Sequence, residues 1–516
     1  MSWQPEIDEL EHRKELARKL GGDEAVARFK ASGRHTARER IDLLVDPGTF
    51  TEMGILAGKA TYDDEGRLVS VTPSNAIIGK ALIHGRKTGI SADDYTIRGG
   101  SSESTISEKW IYAERYAYEM QIPLVRLVDT AGGSVRLLEI NQSTKIPGYP
   151  TWPRGQLLGL VPVVGIGLGA CAGLGAVKVV LAHFSILVKG QGQVFAAGPP
   201  VVEPGLGQTF SKEELGGPEV HAHGSGVVDN EAADEAEAFA LARRFLSYMP
   251  QNVYELPPEA PSDDPPDRRE EFLLKVIPRE KRRVYKMRRI LEAVFDKGSL
   301  FELSPGNGPS TISMLGRLKG KVVGIMANDP YHYGGAMTRL AAQKVESFVD
   351  LCDTFHIPIV NFTDQPGLMV GLEAERSGTL RAAARALAAI EQSRVPWCTI
   401  VVRRAFGVGG GAHGRLQGIN LRYAWPSGYW GSIPLEGGIA AAYRRDLEAA
   451  EDPEARLAEL ERYYARFTSP FRTAERFNML DIIDPRDTRA ILCDWIDEAY
   501  AVLPRQLGPI GRTMRK

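Results

Sequence analysis

Cysteine is scarce. Only Cys171, Cys352, Cys398 and Cys493 occur in 516 residues, and no two share a CxxC spacing. This excludes a disulfide framework or a cysteine-based zinc site as the organising device, and it makes a reducing compartment the expected setting. Net charge is almost absent as well: 63 Lys and Arg against 65 Asp and Glu leave −2. A global electrostatic case for nucleic acid or an anionic membrane therefore falls away. The charged stretch Met1 to Leu20 has no apolar core of the signal-peptide kind, so the expected location is the cytoplasm. HExxH and GxSxG are missing, and no metal site is expected. One apolar run needs a membrane reading. Gly155 to Val177 holds 23 residues without a formal charge, long enough to span a bilayer, yet it includes seven glycines and Pro162. A strand over Leu160 to Ile166, a glycine turn and a helix start account for it inside a soluble core, so no membrane span is expected.

What is present is an ordinary globular composition, 43% hydrophobic and 25% charged, in a chain about three times the length of a single-core domain. Residues 1–45 read as a charged amphipathic helical arm, with Ile7, Leu10, Leu16 and Leu20 at its apolar positions. From Ala76 onward, short apolar strands broken by glycine alternate with helical stretches, the pattern of an α/β core. PPEAPSDDPPD at Pro257 to Asp267 has the composition of a linker. Residues 257–270 thus divide a first domain at 46–256 from a second at 271–516. The basic run from Arg279 to Arg289 is expected to form a solvated helix face, with a phosphate or partner contact as the alternative.

The two domains read as copies. Displacing the chain by 235 residues sets Gly85 on Gly320, Gly89 on Gly324, Ile90 on Ile325, Ala92 on Ala327, Asp94 on Asp329 and Gly99-Gly100 on Gly334-Gly335. It also sets Lys109 on Lys344, Ile122-Pro123 on Ile357-Pro358, Val125 on Val360, Asp129 on Asp364 and Gly132 on Gly367. These are 13 identities in 48 residues, where composition alone gives about three. Each copy runs strand, Gly-Gly loop, helix, and a strand after Ile-Pro. A further strand then ends in a glycine turn, GLGACAGLG at Gly167 to Gly175 and VVRRAFGVG at Val401 to Gly409. The predicted architecture is a duplicated α/β pair.

Glycine turns of this kind bring backbone N–H groups close to a ligand with no β-carbon in the way. Where a helix begins, its first amides are unpaired and point outward as an anion or oxyanion site. Reactions that build charge on a carbonyl oxygen need such donors. Neither turn matches GxxxxGK[ST], and the first leads to no ribose-binding acid at dinucleotide-fold spacing. Close helix–strand packing is the structural alternative. His221 and His223 are expected in a surface loop, and His332 beside Gly334-Gly335 either lines a pocket or is a satisfied loop residue. Asp129 and Asp364 end strands just before glycine turns, where helix N-capping is the expected role.

Four stretches of the first copy carry a family resemblance: DYTIRGGS (Asp94 to Ser101), VDTAGGS (Val128 to Ser134), GACAGLGA (Gly169 to Ala176) and EELGG (Glu213 to Gly217). The second copy continues in colinear order with GRLKGKVVGIMANDP (Gly316 to Pro330), DTFHIPIVNFTDQPGLMVG (Asp353 to Gly371), the turn at Phe406 to Gly414 and YAWP (Tyr423 to Pro426). From about Ala37 to Leu503 the chain resembles the carboxyltransferase (beta) subunit of biotin-dependent acyl-CoA carboxylases of the propionyl-CoA and methylcrotonyl-CoA kind. The resemblance implies an α/β fold of tandem crotonase-like (ClpP/crotonase) domains. It implies transfer of a carboxyl group from carboxybiotin to the α-carbon of an acyl-CoA, in sites where the first domain of one subunit faces the second of another. A homo-oligomer, usually a hexamer, and a partner biotin carboxylase and biotin carboxyl carrier subunit belong to the same picture. Lys286-Met287 echoes only half of an Ala/Val-Met-Lys-Met biotin acceptor, so biotin is expected on the partner.

By the same resemblance, the amides of Gly173 and Leu174 hold the thioester oxygen and those of Gly407 and Val408 the biotin ureido oxygen. The biotin nitrogen can itself take the α-proton, so a catalytic side chain is not required. The implied ligand-binding positions are Gly99, Gly100, Gly132, Gly133 and Gly367 in the adjoining loops. Arg98, Lys109 and Arg136 are placed against phosphates or a carboxylate, and His413 tunes the acyl or biotin pocket without acting as a base. Two alternatives stand beside this reading: a decarboxylating or transcarboxylating relative using the same amide pairs, and a non-catalytic assembly subunit. The sequence departs from the family pattern in Cys-Ala-Gly-Leu at the first turn and in Gly409-Gly410-Gly411 followed by Ala412-His413-Gly414 at the second.

Overall fold

The apolar runs become strands because they are covered on both faces, which favours continuous hydrophobic segments over alternating ones. Val163, Val164 and Ile166 are fully buried, as are Ile359, Val360 and Phe362. The structure is a computed structural model describing residues 2–144, 146, 148–414, 419 and 421–511. Among these residues there are two compact units, 2–255 together with 508–511, and Leu256–Leu507. Gly508 is tied to the first unit by its N–H on the Val253 carbonyl at 2.8 Å.

The first unit is built on a seven-stranded sheet in the order Thr51–Met53, Ala76–Ile83, Arg86–Asp93, Leu124–Val128, Val163–Gly167, Phe184–Val188 and Asn230–Ala232. Its first two pairings are antiparallel and the rest parallel. The second unit repeats the plan with Phe301–Glu302, Thr311–Leu318, Lys321–Asn328, Ile359–Gln365, Trp397–Phe406, Leu421–Ala424 and Asp481–Ile482, again with two antiparallel pairings before the parallel ones. The register itself is duplicated, with Ile90 opposite Val125 and Ile325 opposite Val360. Left-handed backbone recurs at matched positions too: Arg98 at φ 52° and Tyr333 at 51°, Gln121 at 53° and His356 at 56°. Non-glycine residues seldom adopt this region, so such coincidences record one backbone used twice.

The run that raised the membrane question folds as the helix Arg154–Leu158, the strand Val163–Gly167, the short strand Ala170–Ala172 and the start of the helix Leu174–Val180. Among the described residues no helix is long and apolar enough to cross a membrane. The helix Leu174–Val180 lies so close on its strand that a β-carbon at Gly165 would stand 2.2 Å from the Val179 carbonyl oxygen. Only glycine permits that approach.

The N-terminal arm forms the helices Gln4–Arg18, Asp23–Lys30 and Ala37–Leu44, the last opened by a reciprocal Thr36–Glu39 capping box. Its Arg40 is buried and reaches Asp129 at 2.8 Å and Glu235 at 2.6 Å. The proline-rich segment expected as a linker is instead strapped to the second unit. Ala260 donates to the Gly320 carbonyl, Arg317 to the Pro258 carbonyl, and Arg489 to the carbonyls of Asp264 and Pro265. Proline removes donors but leaves carbonyls, and arginines have claimed them. The basic run is likewise engaged: Arg288 pairs with Glu302 and Asp329, and Lys281 lies over the Tyr429 ring.

A fully buried ion pair holds the first unit. Arg126 donates to both carboxylate oxygens of Glu114 at 2.7 Å, and Trp152 adds an indole N–H to the same carboxylate. Removing one partner of such a pair strands a buried charge, which costs about 3–5 kcal/mol. Glu114→Ala is expected to lower the stability of the first unit by that amount, read as a lowered urea midpoint of its unfolding transition.

Candidate active site

Each unit carries one glycine turn, and the two are built alike. In the first, the strand Ala170–Ala172 pairs in parallel with Gln193–Phe195, then Gly173 at φ 56° turns the chain into the helix Leu174–Val180. In the second, the end of Trp397–Phe406 pairs in parallel with Tyr429–Gly431, then Gly407 at φ 61° opens the short helix Gly407–Gly411. A left-handed residue between strand and helix requires glycine. Behind each turn stands the glycine of the preceding loop. A β-carbon at Gly132 (φ 82°) would meet the Ala172 carbonyl at 2.8 Å, and one at Gly367 (φ 131°) would approach the Phe406 carbonyl at 3.7 Å.

The amides these turns offer differ from the expected pairs at one position. The Gly173 N–H is already committed to the Phe195 carbonyl at 3.1 Å, because the parallel ladder continues one residue past the strand. The donors without an acceptor inside their own helix are therefore those of Leu174, Gly175 and Ala176. In the second unit the helix begins at Gly407 itself, so the corresponding donors are those of Gly407, Val408 and Gly409. Leu174 is half-buried, while Gly407 and Val408 are exposed.

The first helix is fixed from its far end. Arg126 donates to the carbonyls of Lys178 and Leu181 at 3.1 and 2.5 Å, satisfying the end whose acceptors have no helical partner. Lys178 meets Asp93 at 2.9 Å and lies 5.2 Å above the Trp110 ring. In the second unit the matching strand position is Asn361, which donates to His413 Nδ1 at 2.5 Å. His413 Nε2–H therefore donates to Gln365 Oε1, and its carbonyl accepts from Thr399. Burial, with the nearby Arg422 adding to it, pushes the His413 ring down to about 3. The residue is thus neutral, held on both nitrogens and packed behind the turn.

Neither Asp129 nor Asp364 caps a helix, contrary to expectation. Each is a buried anchor for two arginines: Arg34 and Arg40 on Asp129, Arg403 and Arg404 on Asp364. Tyr285 adds its hydroxyl to Asp364 at 2.9 Å. Burial alone would raise the Asp364 carboxyl, but Arg404 and Arg403 outweigh it and hold it below the usual range. Gly100 and Gly335 pass directly against the carbonyls of these aspartates, at 2.5 and 2.6 Å from a β-carbon.

Of the remaining expected positions, Arg98 and Gly99 line a cavity of about 440 Å³ with Arg28, Phe29, Arg34 and Tyr95. The Arg34 guanidinium stacks 4.5 Å from the Phe29 ring centroid and 5.4 Å from that of Tyr95. Gly133 and Arg136 are exposed, Arg136 as the first residue of the helix Arg136–Asn141. Lys109 is a correction. It is buried with its chain 3.7 Å from a β-carbon built on Gly54, near Glu52 and Arg38, beside the edge strand Thr51–Met53. Its chain is packed into the unit, and burial lowers its ammonium to about 8. The repeat-related Lys344 is structural as well, donating to the carbonyls of Ser304, Asn307 and Thr311.

The residues sequence reasoning missed are Arg34, Arg40, Arg126 and Glu114. A signal existed for Arg126, a lone charge in the strand sequence LVRLV.

The carboxyl transferase domain family matches residues 28–501. The chain belongs to that family. It is 33% identical over 494 residues to the carboxyltransferase subunit of propionyl-CoA carboxylase from Haloferax mediterranei, covering 95% of each chain. It is 32% identical over 513 residues to the methylmalonyl-CoA carboxyltransferase 12S subunit of Propionibacterium freudenreichii subsp. shermanii, covering 98% of this chain and 95% of that one. Among solved structures it matches transcarboxylase 12S, a hexamer crystallised with methylmalonyl-CoA and methylmalonic acid bound, with a TM-score of 0.86, 28% identity, and coverage of 97% and 96%. The two units of this carboxyl transferase are tandem crotonase-like domains.

The neutral, buried His413 makes stability depend on acid. Its ring is unprotonated in the folded chain down to about pH 3 and titrates at 6.5 when unfolded. Its contribution is therefore fully present above pH 6.5 and declines as pH falls toward 3, by about 2 kcal/mol at pH 5. Denaturation at pH 7 and pH 5 is expected to show that loss in the wild type and its absence in His413→Gln.

Proposed function

We propose that this protein transfers a carboxyl group from a biotin-bearing partner to the α-carbon of an acyl-CoA, with backbone amides stabilising the oxyanions. The observation that carries this reading is the recurrence of one device in both units, a left-handed glycine launching a helix whose first amides have no helical acceptor. Proton loss from a thioester α-carbon drives charge onto its carbonyl oxygen, and amide donors fixed in advance lower that barrier without reorganising. Leu174 and its successors serve that oxygen. Gly407 and Val408 are exposed and the turn presents amide donors, which suits the biotin ureido oxygen as charge gathers on it. When bound there, biotin supplies the carboxyl group. Gly132 keeps a β-carbon from crowding the loop behind the first turn, and Gly367 supplies the positive φ that the second loop needs.

The cavity at Arg98 suits the phosphates of coenzyme A. Arg28 and Arg98 are exposed and pair with no carboxylate among the described residues, while Phe29 and Tyr95 provide aromatic faces. Arginine's fork matches phosphate oxygens. A hexamer, as in the similar transcarboxylase 12S, and a separate biotin carrier with its biotin carboxylase complete the reading.

The test is co-purification of the native complex, followed by carboxylation of an acyl-CoA panel with ATP and bicarbonate. Turnover of at least one thioester, dependent on the biotinylated partner, is expected; a complete complex with no turnover would move the chain to a non-catalytic assembly role.

Two sets of variants check the parts. Leu174→Pro and Val408→Pro each delete one N–H at a helix start, where proline is best tolerated. Each is expected to lower kcat by about 10²–10³, with circular dichroism confirming the fold, while Leu174→Ala and Val408→Ala keep the N–H and most of the activity. Arg98→Gln is expected to raise the KM for the acyl-CoA several-fold with kcat little changed, the mark of binding shared by ground and transition states.

A further inference from the structure

The second unit holds a cavity of about 260 Å³ beside the Gly407 turn. Sites for whole cofactors run to roughly 300–1,000 Å³, so this one has room for a small group. Its floor includes Val401, His413 and Met479, all buried, and its rim includes Gly407, Gly411 and Asn478, all exposed. Gly410 and Gly411 leave the helix side of the wall without side chains, and a β-carbon at Gly411 would touch nothing within 4 Å.

Arg422 lines this cavity from the strand Leu421–Ala424. Among the described residues its Nη2 is buried without a hydrogen-bond partner and no carboxylate pairs with it. His413 beside it is neutral and committed on both nitrogens to Asn361 and Gln365, so it supplies no counter-charge. Burial lowers the guanidinium's pKa, as it does for any cation removed from water without an anion. An unpaired buried donor on a cation is a costly feature, and an incoming anion relieves it.

We propose that the cavity is a carboxylate-binding site, with Arg422 holding the anion and Val401, Ala405, Trp430 and Met479 packing around a short aliphatic chain attached to it. A guanidinium fork matches a carboxylate in charge and plane. The carboxylate is either that of a small free acid or the far end of an acyl chain. The second source rests on the carboxyltransferase reading; the first does not.

Calorimetric titration of the full-length chain separates the two sources. Acetate is the free-acid probe, and glutaryl-CoA against valeryl-CoA compares five-carbon chains with and without a terminal carboxylate. Acetate binding that weakens at least tenfold in Arg422→Gln, and is partly restored in Arg422→Lys, assigns a free acid. A tenfold preference for glutaryl-CoA that disappears in Arg422→Gln, without acetate binding, assigns the chain end. Gly411→Leu leaves Arg422 in place and fills the space, and it is expected to cause the same loss even if Arg422→Gln misfolds. Equal affinity of the wild type for glutaryl-CoA and valeryl-CoA, with acetate binding absent or unchanged in Arg422→Gln and Gly411→Leu, overturns the site. Acetate binding needs no turnover, so a failed carboxylation assay with intact acetate binding counts against the proposed function alone.

Discussion

The first turn depends on how the far end of its helix is held. Arg126 sits fully buried in the strand Leu124–Val128, spends one side of its guanidinium on Glu114 and gives another nitrogen to the carbonyls of Lys178 and Leu181. The helix Leu174–Val180 has only seven residues, too few to be stable alone. Its position therefore comes from its contacts: Gly165 beneath it, Arg126 at its C-terminal end and Lys178 on Asp93. If those fix the axis, the direction of the three amides at its start follows. A buried pair of this kind need not add net stability over an apolar replacement, so its use here is better read as aim than as strength.

The second unit reaches the same end by other means. Asn361 stands where the repeat places Arg126, and it addresses His413 near the end of a still shorter helix. A cation that grips carbonyls has been replaced by an amide that grips a neutral ring. The two aspartates show the same freedom. Asp129 draws its arginines from the N-terminal arm, whereas Asp364 draws Arg403 and Arg404 from the strand leading into the turn. What duplication preserved is a buried carboxylate clamped by two guanidiniums beneath a Gly-Gly loop. Which element supplies them was free to change, because the requirement is charge neutralisation at one place.

Much of the fold was legible because the repeat is written in residues whose conformational demands are strict. Gly99-Gly100 and Gly334-Gly335 recur with positive φ in every case, and Ile-Pro precedes an inner strand in both halves. The strands around Ile90, Val125 and Val164 were readable from unbroken apolar runs. The proline-rich stretch after Pro257 misled, since composition reports the absence of donors and periodicity but not the arginines that come from distant positions to use its carbonyls. Lys109 misled for a related reason: a cation repeated at the same offset looks functional, and only burial against Gly54 shows that it is packed.

By itself the sequence determined the duplication, the α/β order and the places where backbone must turn left-handed, since those depend on local sterics and on the hydrophobic period. Tertiary structure decided which amides remain available, because the commitment of the Gly173 N–H to Phe195 is a contact across 22 residues of chain. It also decided that His413 is neutral and that Arg422 has no counter-ion among the described residues. Charge state and hydrogen-bond commitment are properties of neighbours brought together by folding, and a linear spacing does not contain them.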